Sequence, residues 1–166
     1  MIAGSCSPAT LAQVADMKLR YPAFEVDPAS LARGEDVAGA AVRWARPLLP
    51  SGPVLIYSSA GPEGTARARQ LLGQAAGERI EQALGEVARG LVEAGVSRLA
   101  VAGGETSGAV TGALGIRSLL VGEEIEPGVP VTVTVGGPSL ALVLKSGNFG
   151  SPGFLEKALK NMQALA

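Results

Sequence analysis

No histidine occurs anywhere in the 166 residues. That excludes Ser-His-Asp and Cys-His catalysis, and zinc sites built on imidazole. A single cysteine, Cys6, can form neither an internal disulfide nor a thiolate cluster, which fits a reducing compartment. Aromatic residues make up 4% of the chain and the formal net charge is −1, so no basic, aromatic platform for nucleic acid is expected. The longest apolar runs are too short to span a bilayer. Met1-Ile2-Ala3-Gly4 lacks the charged start of a secretory signal, and the expectation is a cytoplasmic protein. Charged residues are only 17%, but 47% are hydrophobic, which excludes a disordered chain.

What the chain has in quantity is glycine, 23 residues, with 11 prolines. Without low-complexity runs, these mark tight turns between short elements. Strand-like segments are Met1–Ser5, Ala23–Val26, Val54–Tyr57 and Leu99–Ala102, then Leu119–Val121, Val131–Val135 and Leu140–Leu144 at short spacing. Helices alternate with the first four. One starts at Ser7-Pro8, with Ser7 as N-cap and Leu11, Val14 and Ala15 as its buried face. Another follows Val37, Ala41, Trp44 and Leu48. A long one runs from about Ala76 to Ala94, with Ile80, Leu84, Val87 and Leu91 on one stripe and Gly95 ending it. A fourth runs from about Ser107 to Leu114, and a terminal one carries Phe154, Leu155, Ala158, Leu159 and Met162. The pattern predicts one α/β domain over residues 1–166. It should be a three-layer αβα sandwich whose sheet is mostly parallel and Rossmann-like, with antiparallel strands added near the C-terminus.

Ligands of open α/β sheets bind beyond the carboxyl ends of the strands. Three glycine-rich segments sit there: Gly4-Ser5-Cys6-Ser7, Gly103-Gly104-Glu105-Thr106-Ser107 and Lys145-Ser146-Gly147-Asn148-Phe149-Gly150. Free N–H groups at a helix start attract anions, and glycine lets a phosphate approach closely. Hydroxyls at Ser5, Thr106 and Ser107 are candidate donors to phosphate oxygens, and Lys145 is a candidate counter-charge. Glu105 repels phosphate. Its expected use is to hold Mg²⁺, directly or through water, or to orient a lysine. Cys6 reads as a small half-buried side chain. No segment fits a Walker or Gly-x-Gly-x-x-Gly pattern, so spacing by itself gives an α/β domain suited to a phosphorylated ligand.

The ordered set is more specific. Gly4 to Ser7 with Thr10 and Gln13, then "GGETSGAV" from Gly103, then Pro127-Gly128-Val129-Pro130, then "LKSGNFG" from Leu144, resembles the C-terminal nucleotide-binding domain of the four-carbon acid sugar kinases. The resemblance covers essentially the whole chain. It implies an ATP-dependent kinase of 3-oxo-tetronate and related sugar acids, with ATP and Mg²⁺ as cofactors. It also implies ATP contacts from Ser5, from Gly103, Gly104, Glu105 and Thr106, and from Gly147. Members of that family carry an N-terminal domain that binds the sugar acid and supplies an aspartate-rich phosphoryl-acceptor site; the resemblance covers only their C-terminal domain, and the expectation is a chain without that N-terminal domain. The isolated chain is therefore expected to be no competent kinase, and no catalytic residue is assigned. A domain without that partner is expected to expose apolar surface and to form a homodimer. The other reading is a non-catalytic module that binds a nucleotide or anion for regulation or assembly.

Overall fold

The computed structural model describes residues 1–163. Seven strands form one sheet: β1 (Ile2–Ala3), β2 (Ala23–Glu25), β3 (Leu55–Tyr57), β4 (Arg98–Ala102), β5 (Leu119–Glu126), β6 (Val129–Thr134) and β7 (Ala141–Lys145). Their order is β2-β3-β1-β4-β7-β6-β5. The first five strands in that order are mutually parallel, and β6 runs antiparallel to both β7 and β5. The short central strands β1 and β3 are buried throughout, as a sheet covered by helices on both faces requires, while β2 at the edge is only partly buried.

Among the described residues there are seven α-helices, α1 (Pro8–Lys18), α2 (Pro28–Ala32), α3 (Val37–Ala45), α4 (Pro62–Leu72), α5 (Ala76–Glu93), α6 (Gly104–Ala113) and α7 (Phe154–Gln163), of which α2 and α4 pack on each other and on α5. Side chains alternate along the strands and feed two cores. Ile2, Ile56 and Val101 meet Val37, Leu84, Val87 and Val110 on the face covered by α3, α5 and α6. Ala3, Leu55 and Ala100 meet Val14 and Met17 of α1, and Phe154, Leu155 and Met162 of α7, on the other. The layers are those of an αβα sandwich.

Four elements depart from expectation. Helices α2 and α4 have no counterpart in the periodicity. The first is only five residues long, and the second buries only Ala68 and Leu72, so it shows no apolar stripe. Helix α1 starts as expected, with Ser7 Oγ accepting from Thr10 N at 3.3 Å. Its buried residues, however, are Thr10, Gln13, Val14 and Met17. Ala15 is exposed and Leu11 half-buried. The face is polar because it receives the backbone of residues 147–151. Finally, α6 starts at Gly104, three residues before the expected Ser107. Gly103, at φ +135°, makes the sharp exit from β4, and Gly104-Glu105-Thr106 become the first helical turn.

Candidate functional site

Strands β1 and β4 are neighbours, with Ile2 opposite Val101 and Ala3 opposite Ala102. The chain leaves β1 toward α1 on one face and leaves β4 toward α6 on the other. Such a divergence opens a crevice at the carboxyl edge of the sheet. The exits are stitched together by backbone bonds. Gly4 N and Ser5 N donate to Ala102 O at 3.0 and 3.3 Å, and Gly103 N donates to Lys145 O at 2.9 Å. Side chains would not fit here. A Cβ on Gly4 would run into Thr106 Oγ1, Leu84 and Glu81, and one on Gly103 would meet Thr106 Oγ1 and Ser5 N.

Helix α6 has no side-chain cap at its N-terminus. A Cβ on Gly104 would meet nothing within 4 Å, so the first turn opens onto free space. The first N–H groups of any helix lack intrahelical acceptors. Here the dipole and those N–H groups face a cleft of about 650 Å³ that Ser5, Gly104, Glu105 and Thr106 line. That volume is within the range of small-molecule sites. The cleft continues past Ser58 beyond β3, Glu25 at the end of β2 and Asp27 beyond it, and its lining includes Arg67 and Arg69 of α4.

The expected hydroxyl donors are already engaged. Thr106 Oγ1, fully buried, donates to Glu81 Oε1 at 3.0 Å. Ser107 Oγ donates to Gly103 O at 2.7 Å. Of Thr106, only the backbone N–H remains for a ligand. Ser5 Oγ accepts from Ser7 N at 3.2 Å, which leaves its own proton free to point outward. Cys6 is exposed rather than half-buried, and it lines the cleft.

Glu81 of α5 is the acid that sequence reasoning missed. Its Oε2 is buried and has no hydrogen-bond partner in the protein. Desolvation raises its pKa above the ordinary carboxylate value; the Thr106 bond opposes this, and the nearby charge of Glu105 adds to it. The apolar stripe of α5 gave no sign of it. Ser58 was missed too, although Ser58-Ser59-Ala60-Gly61 is a fourth small-residue strand exit ahead of a helix. Both serine hydroxyls are buried without a protein partner. Among the described residues, no three His, Cys, Asp or Glu side chains come together as a metal cluster.

Gly147 is held directly behind Ser5. A Cβ on it would strike Ser5 Oγ and Ser7 Oγ. Its carbonyl accepts from Ser7 Oγ at 2.6 Å, Thr10 Oγ1 at 2.8 Å and Lys145 Nζ at 2.9 Å. The structure thus brings Ser5, Gly103, Gly104, Glu105 and Thr106 to one cleft wall and sets Gly147 behind the Ser5 end of it. Lys145, the candidate counter-charge, is not in the cleft lining. It is 2% exposed, and burial lowers its pKa to about 8.

A family model, the nucleotide-binding C-terminal domain, matches residues 1–155. The chain belongs to that family. As a nucleotide-binding C-terminal domain it has close relatives among longer proteins. A 3-oxo-tetronate kinase of Burkholderia multivorans is 49% identical over 167 residues, covering 100% of this chain and 39% of that enzyme. One of Pseudomonas fluorescens is 53% identical over 161 residues, covering 96% and 37%. The chain spans well under half the length of these curated relatives, and it corresponds to their C-terminal portion. Among solved structures, a protein of Haemophilus influenzae superposes with a TM-score of 0.89 at 31% identity, over 97% of this chain and 39% of that one. A Bordetella bronchiseptica domain, solved as a domain-swapped dimer with bound citrate, has a TM-score of 0.76 at 22% identity over 98% and 40%, and shares the fold.

Proposed function

We propose that this nucleotide-binding domain binds ATP as half of a kinase that phosphorylates a four-carbon sugar acid of the 3-oxo-tetronate type. The observation that carries this reading is the uncapped start of α6, where Gly104 faces free space beside Ser5. In this reading the phosphates sit on the N–H groups of Gly104, Glu105 and Thr106. The Ser5 hydroxyl donates to them, and Gly103 and Gly147 keep the floor low enough for their approach. Glu105 and Glu81 are the carboxylates at hand for Mg²⁺ that enters with the nucleotide, directly or through water. Two acids plus phosphate oxygens are a common way to hold that ion.

The sugar acid is recognised together with the N-terminal portion that the relatives carry and this chain does not span. Phosphoryl transfer needs acceptor and donor in line, so the chain alone binds ATP and does not transfer phosphate. A cytoplasmic setting agrees with the single exposed cysteine, and a homodimer agrees with the exposed Leu120, Val121 and Val135. Calorimetry with ATP, with and without Mg²⁺, tests the binding. A transfer assay on 3-oxo-tetronate, with and without the N-terminal portion of a relative, tests the chemistry. Binding of ATP and transfer only on mixing are expected. Absence of binding overturns the reading, and binding with no transfer on mixing favours the non-catalytic module.

A further inference from the structure

Lys145 ends β7 on the face covered by α1 and α7. Its ammonium donates to Thr10 Oγ1 at 3.0 Å, Ser146 O at 3.0 Å and Gly147 O at 2.9 Å. All three acceptors are neutral, so its hydrogen bonds are satisfied and its charge is not. A cation taken out of water without a counter-charge is costly, and proteins normally supply a carboxylate. The groups shown against it are neutral: Thr10 of α1, which it bonds, and Ala102, its register partner on β4. The charged residues of the neighbouring elements are engaged or placed elsewhere. Asp16 and Glu156 pair with Arg20, Lys157 with Glu126, Lys160 with Glu156, and Lys18 bonds Tyr57. Arg98 lies at the opposite end of β4. The Met1 ammonium is at the start of β1, bonded to Val54 O. Glu105 is exposed on α6, on the other face of the sheet, and β6 carries no charge.

Gly147 couples this buried cation to the candidate site. Its carbonyl is shared by Lys145, Thr10 and Ser7, and its Cα lies against Ser5. We infer that Lys145 is a positioning residue whose unneutralised charge, acting from beneath Ser5 and Gly147, is matched only when the phosphates of the nucleotide bind above it. The inference rests on the ATP-binding reading. Burial leaves the ammonium able to lose its proton at mildly alkaline pH, with a pKa near 8. A bound anion favours the charged form, so binding above that pH must take up a proton.

The test is calorimetric titration of the chain without Mg²⁺ at pH 8.5, in two buffers of different ionisation enthalpy, with ATP and with pyrophosphate. Roughly half a proton or more should be taken up per ligand. Lys145→Met should show none, bind about tenfold more weakly at pH 7, and lose the fall in affinity between pH 7.5 and 9.5. Thr10→Val keeps the cation and should keep the uptake. ATP binding without proton uptake in the unaltered chain overturns the role of Lys145 and leaves the ATP reading standing. Pyrophosphate binding with uptake but no ATP binding does the reverse. Failure of both ligands to bind removes both.

Discussion

Gly103 and Gly104 are adjacent and have opposite requirements. Gly103 sits at φ +135° with Thr106 Oγ1 and Ser5 N where a Cβ would go, so it is needed by the fold. Gly104 has ordinary helical space around it, so its smallness matters only to something that comes from outside. Gly103→Ala is expected to lower stability by about 2 kcal/mol in urea denaturation. Gly104→Val should leave the unfolding midpoint within error and weaken ATP by more than about 30-fold. Unchanged ATP binding in Gly104→Val removes the α6 start from the site. Glu105→Gln separates metal from nucleotide: if Glu105 holds Mg²⁺, affinity with Mg²⁺ falls while metal-free ATP binds equally or better. Glu81 makes a stability statement. Burial raises its folded pKa above the unfolded value, so the unfolded chain releases this proton first as pH rises. The carboxyl therefore contributes most below its unfolded value, near 4.5, and that contribution is lost as pH climbs through the folded value. Glu81→Gln is expected to match the parent near pH 4 and to unfold at higher urea at pH 7. A parent that is the more stable of the two at pH 7 contradicts this account.

Helix α1 and the segment after β7 behave as one unit. Gln13 is fully buried, and its Nε2 donates to the carbonyls of Phe149, Gly150 and Ser151, each at 3.0 Å. Those carbonyls belong to an irregular turn with no ladder to join, so a side chain satisfies them. Gln13→Ala leaves them unpaired and is expected to cost about 2 kcal/mol by urea denaturation. It should also speed proteolysis at residues 146–151; an unchanged cleavage rate would mean the turn holds itself. This unit also shows where sequence reading stops. Thr10 and Gln13 stood out as motif residues, but a helical wheel puts Leu11 and Ala15 on the buried face, because the carbonyls that attract the polar side come from over 130 residues away. The strands were legible because β-rich apolar runs are bounded by Gly and Pro. Helix α5 was legible because its stripe is long. Helix α4 was not, because Arg67 and Arg69 flank the one buried position between them, Ala68, and such a helix has little apolar signature.

At the scale of the whole molecule, the sheet order decides what meets what. The β1 and β4 exits were legible as glycine-rich turns, and their adjacency was not, because crossover order leaves no local trace. Glu81, Ser58 and the arginines of α4 reach the cleft only through that order. The far edge of the sheet is different in kind. Strand β5 pairs on one side only, and Leu120 and Val121 on it are 67% and 66% exposed. Exposed apolar edges favour association, and bulges and charge such as Glu123 and Glu124 limit how far it goes. Light scattering at rising concentration should show a dimer, which Val121→Lys dissociates; a monomer throughout would leave this edge to the N-terminal portion of a longer protein. In the proposed reading, the N-terminal portion of the relatives holds the sugar acid and takes up its proton, in line with a phosphate on α6. Holding reactants in line supplies several kcal/mol of a transfer barrier, on the order of 7–11. Without the acceptor half, the chain should hydrolyse or transfer from ATP no faster than buffer. Mixed with the N-terminal portion of a 3-oxo-tetronate kinase, it should phosphorylate the sugar acid at a rate that saturates with that portion's concentration. Gly104→Val should abolish that rate without weakening the association of the two halves. Transfer by the chain alone would mean that the acceptor site already lies in the cleft, with Arg67 and Arg69 as the groups to hold the acid's carboxylate.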